Sequence, residues 1–213
     1  MANRDEFTRA LAHIWKRPLA ELGYRRVGTR NFKRLSNGIL QLFNFQVSAG
    51  TFCINVAAFI LCSNVHSVLQ PGFRLRNAND SDMWLPSKPA EEALSSLEFA
   101  WKVAEAQALP WLERNGTIEG HLEVLRGESW ASRHHLHFEI GVAQAMLGRR
   151  SGAIGDLVEA SRLYAEDGRS WCPAYIARAE ALIDALNRGN ESELLEKWCN
   201  ANLTAHGFKG LRG

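Results

Sequence analysis

The chain has 213 residues, of which 46% are hydrophobic and 23% charged, enough apolar content for a packed core and far from the composition of disordered chains. Its longest apolar run, Val56 to Cys62, falls well short of the roughly 20 residues that span a bilayer, so a membrane-spanning role is excluded on length. The formal net charge of +2 hides an uneven distribution: residues 1–79 carry 11 Lys+Arg against 3 Asp+Glu, and residues 80–213 carry 14 against 20. Such a split between halves marks a candidate interaction surface, acidic for a basic partner or basic for nucleic acid.

The first residues, Met1 to Glu6, carry acids early and lack an apolar core with a small-residue cleavage site, so no signal peptide is expected and the expected location is the cytoplasm. Phe7, Leu11, Ile14, Trp15, Leu19 and Leu22 recur at three-or-four spacing and predict a helix that ends near Gly23, with Pro18 kinking or shortening its last turn. Tyr24–Val27, Asn31–Leu35 and Ile39–Val47 then read as strands. Asn37-Gly38 between the last two is a hairpin signal, since both central residues of a type I′ turn need positive φ. A second turn, Ser48 to Thr51, leads into a strand whose Phe52, Ile54, Val56, Ala58 and Ile60 share one face by period two. The expected arrangement is an antiparallel meander packed on the first helix.

Residues 64–92 lose periodicity and collect prolines, glycine, asparagines and aspartates, with a short strand around Phe73 to Arg76. Met83-Trp84-Leu85 makes the stretch apolar for a loop, which marks it as a candidate contact loop. From Ala90 the pattern turns helical, stopping near Pro110 with Trp111 and Leu112 at the exit. Further helices are expected over Arg133–Leu147 behind Ser132, Gly152–Tyr164 behind Ser151, Pro173–Leu186 and Glu191–Ala205. Ile140-Gly141, Gly148, Ala153, Leu157 and Ala160 fall at offsets like those of one tetratricopeptide-type hairpin, too few units for a superhelix. The fold class is therefore α+β: residues 1–112 as a helix on an antiparallel meander, and 113–213 as a helical lobe packed on it as one unit.

The cysteines Cys53, Cys62, Cys172 and Cys199 show no zinc-type or redox spacing and read as buried thiols. His135 and Glu139, four apart beside His134 and His137, could share a helical face, but three or four convergent ligands are needed and no further one is legible. No nucleophile elbow, phosphate loop, dinucleotide fingerprint or zinc-protease motif is present. No enzyme activity, metal or cofactor is expected. Trp15 and Trp101 lie on apolar stripes, while Trp84 and Trp130 fall in loops where they could anchor a partner.

Leu22-Gly23-Tyr24-Arg25-Arg26, Phe32-Lys33-Arg34 and Asn44-Phe45-Gln46 occur in that order behind a leading helix. This pattern, over residues 5 to about 112, resembles a bacterial family catalogued as domain of unknown function 4304; the helical half lies outside it. The resemblance implies a function beside toxin genes of interbacterial competition systems, type VI secretion among them. The expectation is an immunity protein that binds and blocks a cognate toxin domain, a protein partner and not a membrane, with oligomeric state left open. For a basic nuclease toxin the contact residues expected are Asp80, Asp82 and Trp84, then Glu123, Glu128 and Trp130. The alternative is a nucleic-acid-binding adaptor with Arg25, Arg26, Lys33 and Arg34 on phosphates.

Overall fold

The computed structural model describes residues 6–63, 71–127 and 132–208. Its elements are helix α1 (Glu6–Glu21), strands β1 (Arg25–Val27), β2 (Asn31–Ser36), β3 (Ile39–Ser48), β4 (Thr51–Ile60), β5 (Gly72–Arg74) and β6 (Leu85–Pro86), and helices α2 (Ala90–Arg114), α3 (Ile118–Gly127), α4 (Arg133–Met146), α5 (Arg150–Asp167), α6 (Cys172–Arg188) and α7 (Glu191–Ala205). The α+β reading holds: a leading helix, an antiparallel sheet in the order β1-β2-β3-β4-β5, then a helical region. The chain divides into two compact units. One takes the described residues of Met1–Leu35, Leu40–Ala58 and Gly72–Glu113, and the other those of Ser36–Ile39, Phe59–Pro71 and Arg114–Gly213. No helix among the described residues is long and apolar enough to cross a membrane.

In the first unit α1 runs through Pro18 and stops where Gly23 takes φ +83°, a left-handed conformation that costs glycine nothing. Its buried stripe of Phe7, Leu11, Trp15 and Leu19 packs on the sheet, Phe7 against Phe52 and Trp15 edge-on to Phe43 and Phe45. Between β2 and β3, in the residues Ser36–Ile39 that belong to the second unit, Asn37 (φ 46°) and Gly38 (φ 81°) make the hairpin turn that their sequence predicts; in the first unit Ala49 with Gly50 repeats that geometry between β3 and β4.

Among the described residues after β4, those from 71 to 89 are more ordered than their composition suggests. β5 pairs with β4 at Asn55–Ala57, β6 pairs with the start of β4 at Thr51–Phe52, and Arg76 bridges to Asp82. The Gln107 side chain accepts from Arg76 N and donates to Arg76 O, at 3.0 and 2.9 Å, as a strand neighbour would. Residues 64–70 of the expected contact loop lie outside the described residues.

Helix α2 does not stop at Pro110 but continues to Arg114. Proline forfeits one backbone donor, and the buried Trp111 and Leu112 hold the last turn in place.

In the second unit α3 has no counterpart among the helices expected from sequence. Its cue is short: Ile118, His121, Leu122 and Leu125 form one apolar stripe, and Thr117 Oγ1 accepts from Gly120 N at 3.1 Å as an N-terminal cap. Helix α5 begins at Arg150, so Ser151 lies inside it and is no cap. Ser132 does precede α4, but its hydroxyl meets His134 Nε2 at 3.1 Å rather than the backbone.

Helices α4 and α5 approach closely at Gly141, where an added methyl would lie 2.7 Å from Leu157 Cγ and 3.3 Å from the Ala153 carbonyl. Gly141→Ala is therefore expected to destabilise the protein by about 1–3 kcal/mol in urea unfolding, despite alanine's better helix propensity. A neutral or stabilising result would mean that the two helices are free to separate.

Candidate interaction site

Period two divides the sheet of the first unit into two faces. Phe32, Phe43, Phe45 and Phe52 turn toward α1, so Asn31, Lys33, Asn44, Gln46, Cys53, Asn55 and Arg74 belong to the opposite face. There the side chains join across strands. Asn44 Nδ2 donates to Asn31 Oδ1 at 2.8 Å, Asn55 Nδ2 to Asn44 Oδ1 at 2.9 Å, and Arg74 Nε to Asn55 Oδ1 at 3.1 Å. Asn55 Nδ2 also reaches Gln46 Oε1 at 3.4 Å. The row thus crosses β2, β3, β4 and β5 with each amide held in one orientation.

It ends in a corner built by the β5–β6 turn. Arg74 pairs with Asp82 and sets its guanidinium 5.4 Å from the ring centre of Trp84, which is 38% exposed although its neighbour Met83 is buried. Asp80 sits next to this corner at φ 64° and pairs with Arg76 Nη1 at 2.7 Å. Asn77, Asn79 and Ser81 hydrogen-bond one another within the turn. A partner meeting this surface would find an ordered indole, a guanidinium and carboxylates, groups that need little further ordering on binding. Cys53, on the same face, is buried; its thiol is pushed up by that burial, with Arg74 opposing, and is a poor thiolate.

The residues expected from sequence separate. Asp80, Asp82 and Trp84 come together, each carboxylate already balanced by an arginine. Glu123 is exposed on α3 in the second unit, beside an open hollow of about 270 Å³ lined by Arg114, Gly120, Val124 and Gly127. Glu128 and Trp130 lie outside the described residues.

The basic set also divides. Arg25 pairs in register with Lys33, which places both on the amide-bearing face, where burial lowers the Lys33 amine from its usual value. Arg26 and Arg34 are on the other side. Arg26 donates to Thr29 O and lies over the Phe32 ring. Arg34 lies 4.9 Å from the ring centre of Tyr24 and donates to Leu22 O and to Gln41 Oε1. The Tyr24 hydroxyl donates to the same Gln41 oxygen at 2.8 Å, and burial raises that phenol's pKa. The Gly-Tyr-Arg-Arg and Phe-x-Arg elements therefore serve largely as framework, whereas Asn44 and Gln46 of the third element face outward. Asn31, Asn55 and Arg74 were not singled out by sequence. Their cue is a set of polar residues interrupting strands whose remaining positions are apolar.

The histidine cluster of α4 divides: the His134 and His135 rings stay together, 4.6 Å apart, while His137 and Glu139 turn to other partners. His135 Nδ1 meets the Tyr164 hydroxyl at 2.7 Å and its ring stacks on Trp171; its pKa is lowered to about 4, by burial first and then by His134 and Arg169. His137 meets Asp156 at 2.8 Å, and Glu139 turns instead to Ile60 N and His121. Among the described residues no group of three or more His, Cys, Asp or Glu side chains is placed to hold a metal ion.

Residues 15–114 match the model of the family described as Domain of unknown function (DUF4304). No curated protein and no solved structure matches the chain.

Proposed function

We propose that this protein, whose residues 15–114 match the DUF4304 family model, is a non-enzymatic binding protein: an immunity protein that captures a cognate secreted toxin of interbacterial competition, such as one delivered by type VI secretion, in the cytoplasm. The observation that carries the reading is the exposed Trp84, braced by Arg74 and flanked by Asp82 and Asp80. Tryptophan and arginine dominate interface hot spots, and a braced indole loses little conformational freedom on binding. The two aspartates, each beside an arginine, would re-pair with a basic toxin surface and fix its register.

The test is calorimetric titration of the protein with the toxin domain encoded beside it. Nanomolar binding is expected, and Trp84→Ala should weaken it by about 2 kcal/mol or more, roughly 30-fold. A toxin domain that fails to bind would refute the reading, and binding unaffected by Trp84→Ala would move the contact away from this corner.

One observation favours a second reading, a nucleic-acid-binding adaptor. Arg25 and Lys33 share the amide-bearing face, and Lys33 is half-buried there. Binding to bulk RNA that falls steeply with salt, and falls further with Arg25→Ala, would support it over the first.

A further inference from the structure

Cys62 and Cys199 stand 137 positions apart, in the turn that follows β4 and on α7, within the same unit. The contacts around them fix their meeting from both sides. Trp198, next to Cys199, lies under the Arg178 guanidinium at 3.9 Å from the ring centre, and Arg178 Nη2 donates to the Cys62 carbonyl. Asn202, three residues beyond Cys199 on the same face of α7, donates to the Leu61 carbonyl at 2.6 Å. These two ties lay the chain at Leu61 and Cys62 against the face of α7 that carries Cys199. Cys62 is fully buried, with its sulfur 3.8 Å from Met146 Sδ, whereas Cys199 is the one cysteine of the four that keeps contact with solvent. Arg178 Nε has no hydrogen-bond partner among the described residues, so the guanidinium has donor capacity to spare beside the pair.

We propose that Cys62 and Cys199 form a peroxide-responsive thiol pair, with Cys199 as the attacking thiol and Cys62 as the resolving one. A partly exposed thiol near a cation, backed by a buried second thiol, is the arrangement that favours reversible oxidation. The electrostatics agree. The Cys199 thiol is lowered by the neighbouring Cys62 and by Arg178, against the burial that would raise it, while those of Cys53, Cys62 and Cys172 are all raised. In the first step the Cys199 thiolate attacks one oxygen of a hydroperoxide. The O–O bond breaks, the leaving oxygen takes a proton to give water or an alcohol, and Cys199 becomes a sulfenic acid. In the second step the Cys62 sulfur attacks the Cys199 sulfur, and the sulfenic oxygen leaves as water with the Cys62 proton. Two thiols have then given up two electrons to one peroxide, and a thiol reductant reverses the bond. The product ties α7 covalently to the turn that follows β4.

The experiment treats the reduced full-length chain with a few-fold excess of hydrogen peroxide and maps thiols and disulfide peptides by mass spectrometry under non-reducing conditions. Cys62 and Cys199 should be lost together into one linked peptide, about tenfold faster than Cys53 or Cys172 is modified. Cys62→Ser should leave a sulfenic acid on Cys199 that dimedone traps, and Cys199→Ser should leave Cys62 a thiol. The proposal is overturned if the folded wild-type chain keeps both thiols under peroxide that oxidises glutathione. It is equally overturned if Cys199 reacts no faster than the buried cysteines, or links only to Cys199 of a second molecule.

Discussion

Trp15→Ala is expected to lower the unfolding free energy by about 3–5 kcal/mol, the range for removing a large aromatic from a closed core. Trp15 is fully buried, and its ring meets three others edge-on: Phe43 at 5.7 Å, Phe45 at 4.8 Å and Trp101 at 4.9 Å. Its Nε1 donates to the Leu97 carbonyl of α2 at 3.1 Å, so one side chain of α1 touches both the sheet and the second helix of its unit. Alanine would leave a cavity bounded by aromatic rings that cannot collapse without breaking their own contacts. Trp15→Phe keeps part of the volume and should cost about 1–3 kcal/mol, because the Leu97 carbonyl retains its helical donor. Urea unfolding followed by far-ultraviolet dichroism measures both, and a loss below about 1 kcal/mol for Trp15→Ala would show that the core is not organised around this residue.

In the second unit the largest effect is expected at Glu139. This buried acid accepts the Ile60 N–H at 2.6 Å through Oε1 and faces His121 Nε2 at 3.3 Å; His121, itself fully buried, has Nδ1 2.7 Å from Asn115 Oδ1. Glu139→Leu strands a buried N–H and an imidazole together, for about 3–5 kcal/mol. Glu139→Gln keeps an oxygen for Ile60 N and should cost about 1–2 kcal/mol. The pairing of Glu139 with His121 predicts non-additivity: with His121 already replaced by leucine, Glu139→Leu should cost less than it does alone. Equal losses for the glutamine and leucine variants would show that the acceptor is not what holds this site.

The two interactions differ in how far they were legible. Trp15 is on an apolar stripe at three-or-four spacing, a local pattern that places it in a core before any partner is known. The same local signals placed the Asn37-Gly38 turn, the long β3 and β4 strands and the helices from α4 onward. Glu139 and His135 are one turn apart in the sequence, yet the two reach different neighbours: His135 goes to Tyr164 and Trp171, Glu139 to Ile60 and His121. Periodicity reports a face and not its occupant. The row from Asn31 to Arg74 was missed for the same reason, since its members lie on four strands and only register lines them up. Pro110 misled in the opposite direction, because a breaker's local cost was outweighed by the burial of Trp111 and Leu112 beyond it.

Gln41 accepts from Tyr24 and Arg34 through Oε1, and its Nε2 donates to the Leu112 carbonyl at 2.5 Å. One amide therefore joins the stretch that follows α1 to the last turn of α2, and its bond to Leu112 closes the chain from Gln41 to Leu112 into a non-covalent ring. Fraying at either end of this unit must open the same clasp, so the two ends should melt as one.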